Sequence, residues 1–315
     1  QWSKVMSYTL RRFSIQQDIP ALLRLRSETE AVDQEGYQVN EETLLAQLRL
    51  PGHDPSQDRW VIASPLEPDR LIGSGLIWLP PESTMVKLNI LIHPEYRQQG
   101  LGSQMLAQAL QRARSLEGQT LQAFANPQNP GSEAFLQKHG FQREGAYQEM
   151  RQRMPARLPS PVWPYGYKLR TYAEVQDIAA LTYAMNVCYE DLWGHQEVSE
   201  AQMASWLPEF NPDGLFLVYS PSGKVVGVSR VEPNAERSKI NGEPTGYIDA
   251  PGLHHHHRRM DVYRALLLAG MRWLKEQKQE IIEMESWGEK QEILNLYADM
   301  GFSTIRRLIS YRLPL

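Results

Sequence analysis

The chain has few of the features that mark a secreted, membrane-spanning or nucleic-acid-binding protein. Cys188 is the single cysteine among 315 residues, so no internal disulfide or zinc cluster is expected, and one thiol fits a reducing compartment. No apolar run approaches the roughly 20 residues needed to span a bilayer. The 33 basic and 37 acidic residues include no block of lysine and arginine, which argues against nucleic acid. We therefore expect a soluble, cytoplasmic protein without a membrane or nucleic-acid partner.

What the chain does have is enough length and apolar content for two ordinary domains. Apolar residues make up 42% of the sequence and charged residues 22%, which is a globular balance and not a disordered one. A chain of 315 residues is long for one domain and comfortable for two.

The sequence also repeats itself. Residues 8–22 read YTLRRFSIQQDIPAL and residues 167–181 read YKLRTYAEVQDIAAL. Near the other end of each half, His-Gly-Phe at 139–141 corresponds to Met-Gly-Phe at 300–302. The matching aspartates are 159 residues apart and the matching glycines 161 apart. Two copies in nearly constant register predict a duplicated domain and not a solenoid.

A proline-rich stretch separates the two copies. Residues 155–164 contain four prolines, which exclude a helix and favour an extended connection. We therefore predict a first domain at 1–153, a linker at 154–164 and a second domain at 165–315.

Each half predicts a mixed α/β fold. In the first half, residues 60–63 and 71–78 read as paired strands around a turn, and residues 86–93 read as a strand running into a helix at 100–115. A further strand at 121–124 and a short helix ending at Gly140 follow. Hairpin connections dominate, so we expect a mainly antiparallel sheet.

The loop between the strand at 86–93 and the following helix has the features of an anion site. It reads R-Q-Q-G-L-G from Arg97 to Gly102. Unpaired amides and the helix dipole favour an anion at a helix N-terminus, and Arg97 adds a charge-assisted contact. A nucleoside-triphosphate loop is excluded because G-x-x-x-x-G-K-[ST] is absent, and a dinucleotide fingerprint fails because Met105 replaces its third glycine. The alternative is that these glycines only turn a strand into a helix.

This loop, together with the later segment Asn126–Phe141, resembles the GNAT superfamily of acyl-CoA-dependent N-acyltransferases. The resemblance implies two tandem GNAT domains, each with a splayed pair of parallel strands. It implies that acetyl-CoA binds with its pyrophosphate on the amides of 98–103, its pantetheine along the strand at 91–93, and Asn129 beside that arm. The implied cofactor-binding residues are Leu91, Ile92, His93, Arg97, Gln98, Gln99, Gly100, Leu101, Gly102, Ser103 and Asn129.

The two halves depart from the family pattern in opposite ways. In the first, Leu136 stands where the family often has a tyrosine that protonates the leaving thiolate. In the second, Tyr297 occupies that place, but Asp261 and Tyr263 replace the loop glycines, so we expect a degenerate cofactor loop. Tyr297 is a catalytic candidate; the alternative is an aromatic residue packed on an amphipathic helix.

Three other features of the sequence have a structural and a functional interpretation. The acidic cluster at 28–35 lies in a region that borders the acceptor pocket in the family, and Glu30 is our catalytic candidate there; the alternative is a solvated helix end. The histidines at 254–257 are expected in a solvent-facing loop and not at a metal site, because no further ligands accompany them. Trp193 is expected in the core.

We therefore predict an N-acetyltransferase that moves an acetyl group from acetyl-CoA to a primary amine of a small molecule. The alternatives are a non-catalytic acyl-CoA-binding or scaffold protein and an enzyme that acetylates a protein amine. We expect a monomer or homodimer with no metal cofactor.

Overall fold

The computed structural model describes residues 8–36 and 40–315, and it divides into two compact units. Unit 1 comprises Gln1–Glu144 with Leu308–Leu315, and unit 2 comprises Gly145–Arg307. Residues 1–7 of the predicted first domain lie outside the described residues. The predicted boundaries at 153 and 165 stay a prediction, because the two units are defined by packing and not by the sequence repeat.

Both units are built from alternating strands and helices. The strands are β1 (Leu10–Arg12), β2 (Arg59–Ala63), β3 (Leu71–Trp78), β4 (Met85–Ile92), β5 (Thr120–Ala125), β6 (Gln142–Arg153), β7 (Lys168–Thr171), β8 (Leu215–Tyr219), β9 (Val225–Pro233), β10 (Thr245–Asp249), β11 (Gly252–Leu253), β12 (Ile281–Ser286) and β13 (Ser303–Pro314). The helices are α1 (Ile15–Asp33), α2 (Glu41–Leu48), α3 (Pro55–Asp58), α4 (Leu101–Ser115), α5 (Pro130–Lys138), α6 (Tyr172–Val175), α7 (Ile178–Cys188), α8 (Glu200–Trp206), α9 (Ala235–Asn241), α10 (Met260–Glu276) and α11 (Gln291–Asp299). Short 3-10 helices span Pro94–Tyr96, Leu207–Glu209, Pro212–Gly214 and His255–His257.

The sheet of unit 1 runs in the order β1, β2, β3, β4, β5 and the C-terminal part of β13. All neighbours are antiparallel except β4 and β5, which are parallel. Parallel pairing stops at Leu88 and Ala123, whereas β4 continues to Ile92. The two strands therefore splay apart beyond Leu88, and this confirms the predicted mixed sheet with a parallel pair.

Helices cover both faces of this sheet because strand side chains alternate between the faces. On one face, Leu22 and Leu25 of α1 join Leu44 of α2 and Val61 of β2 in a buried cluster. On the other, Leu101 and Met105 of α4 pack with Ile62 and Ile72. The helix that carries the predicted anion loop is therefore anchored by its apolar face.

Unit 2 has a sheet of the same kind. Its order is β7, β8, β9, β10, β12 and the part of β6 from Gln148 to Arg153; β10 and β12 are its parallel pair. The core forms where α10 packs on the sheet, with Leu266, Leu267 and Met284 among its buried members. A second cluster joins Leu181 of α7 to Leu217 and Val228. The last strand of each unit is taken from the other half of the chain, since β13 completes unit 1 and β6 completes unit 2.

The repeated aspartates have related roles near helix starts. Asp18 lies in the first turn of α1 and accepts hydrogen bonds from Arg11 and from the amide of Ser14. Asp177 is the N-cap of α7 and accepts from the amide of Ala180 at 3.0 Å. Both placements suit the positive end of a helix dipole.

Among the described helices, none combines the length and apolarity needed to cross a membrane.

Candidate functional site

The predicted anion loop of unit 1 joins the splayed end of β4 to α4. After the 3-10 helix Pro94–Tyr96 the chain turns through Gln98 and Gly100, which have φ values of 61° and 81°. A positive φ favours glycine, and Gly100 serves as the N-cap of α4 with no side-chain cap. The helix therefore starts from a glycine in a conformation that other residues rarely adopt.

Six consecutive amides of this loop have no acceptor. Within the described part of the chain, the N–H groups of residues 98–103 donate no hydrogen bond, and the first donor of the helix is Gln104, which bonds to the carbonyl of Gly100 at 3.1 Å. Such a row of amides at a helix N-terminus favours a negatively charged group. The predicted diphosphate contact at these amides stays a prediction.

Gly102 provides close packing as well as access. A Cβ atom at this position would lie 3.1 Å from the ring of Phe135 on α5, which is closer than ordinary contact. In unit 2 the corresponding residues, 161 further along, are Tyr263 and Leu296, both buried in the core. In unit 1 the ring of Phe135 packs where a side chain at 102 would lie, whereas in unit 2 the large aromatic residue is Tyr263, in the first turn of α10.

The strand residues predicted to meet the cofactor lie where β4 leaves β5. Leu91 and Ile92 pair with β3, and the amide of His93 bonds to the carbonyl of Ile72 at 2.9 Å. Because adjacent residues of a strand point their backbone groups in opposite directions, Ile92 turns its backbone toward the splay. Its carbonyl accepts from Nε of Arg97 at 3.0 Å.

Arg97 and Asn129 complete the predicted cofactor set. The guanidinium of Arg97 binds Asp33 at the end of α1, so its predicted contact with a pyrophosphate stays a prediction. Asn129 is the half-buried N-cap of α5, and its side chain makes no cap hydrogen bond. The hydroxyl of Ser103 already has a hydrogen-bond partner, since its Oγ lies 2.9 Å from Nε2 of His139.

The acidic cluster of α1 divides into carboxylates with different surroundings. Glu30 accepts from the amide of Gly36 at 2.6 Å and so closes the turn after the helix. Glu28 instead lies 3.2 Å from both Nε2 of His93 and a nitrogen of Arg70. Partial burial acts to raise the pKa of Glu28, but hydrogen bonds from Arg24 and Arg70 keep that pKa below its ordinary value. Glu28 is therefore an ionised carboxylate beside the end of β4.

The corresponding loop of unit 2 is closed. Its helix α10 starts at Met260, and the carboxylate of Asp261 accepts from the amide of Val262 at 2.9 Å and binds Arg259. The amide of Tyr263 bonds to the carbonyl of Arg259 at 3.0 Å. The amides of Val262 and Tyr263, whose counterparts in unit 1 have no acceptor, are thus bonded here, and an aspartate carboxylate lies at the start of the helix.

The histidine run forms part of this closed loop and repeats the geometry of unit 1. His255–His257 is a 3-10 helix after the N-cap His254, as Pro94–Tyr96 follows His93. The run was expected in a solvent-facing loop; His257 is instead half-buried, with Nδ1 2.7 Å from the hydroxyl of Tyr167. Among the described residues, no group of three potential ligands is arranged to hold a metal.

Tyr297 is fully buried in the core of unit 2. Its hydroxyl has no hydrogen-bond partner within the described chain. Burial, and then the nearby charge of Glu289, raise the pKa of Tyr297 well above its ordinary value. Its surroundings are those of a packed aromatic residue, and a catalytic role stays a prediction.

Sequence reasoning missed a pocket of about 310 Å³ in unit 2. It lies beside the carboxyl ends of β10 and β12, beneath the segment that follows α7. Its lining residues are Tyr189, Leu192, Trp193, Gly194, His195, Tyr247, Asp249, Ala250, Glu285, Trp287 and Glu289. Trp193, expected in the core, is one of its walls. The sequence does contain a signal for this pocket, because polar residues alternate along two buried strands: Tyr247 with Asp249, and Glu283 with Glu285.

Comparisons with known proteins agree with this geometry. A family model described as "Acetyltransferase (GNAT) domain" matches residues 8–142, and one described as "Acetyltransferase (GNAT) family" matches residues 178–302. A mycothiol acetyltransferase of Thermobispora bispora is 27% identical over 279 residues, covering 87% of this chain and 89% of that protein. One from Saccharomonospora viridis is 28% identical over 233 residues, covering 70% and 72%.

Solved structures show the same fold across the whole chain. A GCN5-related N-acetyltransferase from Sphaerobacter thermophilus superposes with a TM-score of 0.74 at 19% identity, covering 98% of this chain and 95% of that one. A tandem GNAT protein from the clavulanic acid biosynthesis pathway gives a TM-score of 0.60 at 18% identity, with 98% of each chain covered. With two matching domains in one chain, the protein belongs to the GNAT family of acetyltransferases.

Proposed function

We propose that this acetyltransferase moves an acetyl group from acetyl-CoA to a primary amine of a small molecule, and that unit 1 holds the cosubstrate. The observation that carries the proposal is the row of six amides without acceptors at residues 98–103, next to the splayed end of β4. A CoA pyrophosphate is an anion of the size and charge that such a row accommodates. In unit 2 the equivalent amides of Arg259, Val262 and Tyr263 are bonded internally.

The residues around this loop suit direct transfer to an amine. Acetyl-CoA supplies an acetyl thioester, and the attacking amine must first lose a proton, because alkyl ammonium groups are mostly protonated near neutral pH. Glu28 is ionised, and its side chain is 28% exposed. It lies beside the end of β4, because its carboxylate is 3.2 Å from Nε2 of His93. A carboxylate there would hold an ammonium group, but its lowered pKa makes it a weak base, so the proton leaves to water. Glu30 remains the alternative, although it already accepts from Gly36.

Departure of the thiolate has no tyrosine to assist it in unit 1. Leu136 occupies that place and is buried. A thiol has a pKa near 8.5, so its thiolate exists near neutral pH without a general acid. We therefore propose that removal of the proton from the amine, and not protonation of sulfur, limits the rate.

The relatives suggest where the search for an acceptor should begin. They are named mycothiol acetyltransferases, so a mycothiol-related amine is the first acceptor to test. An enzyme acting on a protein amine is the second candidate. The predictions of a cytoplasmic monomer or homodimer, without nucleic-acid or membrane partners, are retained as part of this proposal.

The test uses the full chain with acetyl-CoA and a panel of amines. The panel contains a mycothiol-related amine, simple alkylamines, and peptides with free N-termini or lysines; release of CoA thiol and acetylation of the amine are both measured. We expect amine-dependent release with small amines. Release only with peptides would replace the small-molecule proposal by protein acetylation. Bound acetyl-CoA with no amine-dependent release would contradict catalysis.

Two matched variants identify the carboxylate that receives the amine. Glu28→Gln should raise the KM for the amine about tenfold or more, because the ammonium loses its charged partner. Glu30→Gln carries the same change two residues away and should leave KM within about threefold. The reverse result would assign the acceptor to Glu30.

A further inference from the structure

The pocket of unit 2 has the chemistry of a cation site and lies in the unit whose cofactor loop is closed. We propose that this pocket binds a small organic ammonium ion and that unit 2 does not acetylate it. The inference goes beyond acetyl transfer at unit 1 and depends on four features of unit 2: the aromatic walls, the carboxylates, an unpartnered histidine nitrogen and the filled loop.

The aromatic walls are held rigidly. The indole N–H of Trp193 donates to the carbonyl of Ala146 at 2.6 Å, and its ring lies 5.1 Å from that of Trp287. Gly145 and Gly288 cradle the same ring, since a Cβ atom on either would come within 2.2 and 2.7 Å of it. Indole faces attract cations through their quadrupole, and a preorganised wall loses little entropy on binding.

Three carboxyl groups line the pocket, and no lysine or arginine does. Asp249 forms an ion pair with Arg230 at 3.1 Å, and Glu285 forms one with Arg237 at 3.0 Å. Glu289 differs from both, because its described hydrogen bonds come from the hydroxyl of Ser286 and the amide of Trp287, and neither carries a charge. Burial raises the pKa of Glu289 above its ordinary value, as expected for a carboxyl that lacks a cation. An ammonium group would supply that missing charge.

His195 adds an independent sign of an absent ligand. It lines the pocket, and its Nε2 is buried without a hydrogen-bond partner in the described structure. Buried polar atoms are almost always paired, so an orphaned one at a cavity wall indicates a missing polar group. Three N–H donors on a primary ammonium could serve carboxylates and an imidazole together.

The loop at the start of α10 does not suit an acyl-CoA, so we expect no acetyl transfer at this pocket. In the first turn of α10, Asp261 accepts from the amide of Val262, and Tyr263, a large buried residue, stands where unit 1 has Gly102. The cavity, about 310 Å³, is at the lower end of the range for small-ligand sites. It matches an amine with a short aromatic or aliphatic body and not a peptide.

The first test measures binding to the full chain in the absence of acetyl-CoA, so its failure would leave transfer at unit 1 unaffected. The probes are 2-phenylethylammonium and 2-phenylethanol, which is uncharged and of similar shape, and the readout is titration calorimetry. We expect the alcohol to bind at least about tenfold more weakly, because charge-assisted hydrogen bonds exceed neutral ones. Equal affinities, or no binding of the amine up to millimolar concentration, would overturn the proposal.

Variants then locate the site. Glu289→Gln should weaken binding of the ammonium about tenfold or more, and Trp287→Ala, at the 37% exposed rim, should weaken it severalfold. Glu292→Gln makes the same charge change at an exposed position of α11 and should leave affinity unchanged. If both pocket variants bind the ammonium as tightly as the natural chain, the assignment to this pocket is overturned. Should one variant fold poorly, the other still decides the test.

A final measurement separates binding from chemistry. In Gly102→Tyr/Phe135→Leu, which gives unit 1 the residues of unit 2, the ammonium should still bind but should not be acetylated when acetyl-CoA is added. Acetylation of 2-phenylethylamine at the unaltered rate in that variant would show that unit 2 performs transfer and would overturn the proposal.

Discussion

The guanidinium of Arg97 binds the carboxylate of Asp33 through both of its terminal nitrogens, at 2.8 and 2.5 Å. Asp33 ends α1, and Arg97 begins the loop of free amides. The pair therefore attaches the loop of free amides to a helix that packs on the other face of the sheet. Unit 2 repeats the arrangement, with Arg258 bound to Asp191 and to the carbonyl of Leu253.

We expect Asp33→Asn to weaken binding of acetyl-CoA about tenfold, because a loop released from α1 must be ordered when the ligand binds. Asp191→Asn breaks the equivalent pair in unit 2 and should leave that affinity unchanged. Calorimetry with both variants decides the matter. If Asp33→Asn binds as tightly as the natural chain or more tightly, the pair does not preorganise the loop.

Exchange of the packing pair should abolish cofactor binding. The natural chain is expected to bind one acetyl-CoA, and Gly102→Tyr/Phe135→Leu none, because a side chain at position 102 prevents the close approach of the pyrophosphate to the loop backbone. Phe135→Leu alone removes the bulk beside Gly102 and should bind within about threefold of the natural chain. A measured stoichiometry of two sites, or binding that survives in the double variant, would contradict the assignment to unit 1.

Tyr297→Phe should leave the affinity for acetyl-CoA unchanged and the rate of transfer within about threefold. Its stability should be equal or up to about 1 kcal/mol higher, since the hydroxyl removed is buried without a partner. Tyr297→Ala should by contrast cost about 3–5 kcal/mol through the cavity it leaves. Unfolding by urea and steady-state kinetics check both variants. Collapse of activity in a folded Tyr297→Phe protein would assign chemistry to unit 2.

The ion pair of Asp18 should make the free energy of unfolding depend on pH in the acid range. Burial acts to raise the pKa of Asp18, but hydrogen bonds from Arg11 and Ser14 hold that pKa below its ordinary value. A lowered folded pKa stabilises the fold above the unfolded value, about 3.9, and the effect is lost as the pH falls through the folded value. Asp18→Asn should therefore cost about 2 kcal/mol at pH 7 and progressively less below about pH 4.

Asp177 provides the comparison for that measurement. It has the same place in the repeat but caps α7 from the surface, so Asp177→Asn should cost less, about 0.5 kcal/mol. Urea unfolding at pH 7 and at several acidic values checks both. An equal loss in the two variants, or a cost for Asp18→Asn that does not decrease toward low pH, would contradict the role given to Arg11.

Much of the fold was accessible from local pattern. The strand predicted at 86–93 is β4, Met85–Ile92, and the helix predicted at 100–115 is α4, Leu101–Ser115. Alternation and helical period depend on residues a few positions apart, so they can be read without knowing the tertiary partners. The loop was accessible for the same reason, because the glycines at 100 and 102 permit a positive φ and close backbone approach wherever the chain goes.

Side-chain partners across the fold were not accessible in this way. Arg97 was predicted to face a pyrophosphate, and only the packing of α1 against β4 revealed Asp33 as its partner. The acidic cluster at 28–35 was visible as charge, but the distinction between Glu28 beside His93 and Glu30 beside Gly36 depends on which face of α1 meets the strand. A helix pattern gives the face and does not name its neighbour.

By itself, the sequence determined that the chain is a duplicated α/β acetyltransferase and that the loops before α4 and α10 differ in their glycines, because repeats and glycine positions are properties of the chain in order. Tertiary structure alone decided that β13 completes unit 1 and β6 completes unit 2. It also decided that Trp193, Asp249 and Glu289 form one pocket. Strand partners and pocket walls are chosen by packing between segments tens to hundreds of residues apart, and no local period records that choice.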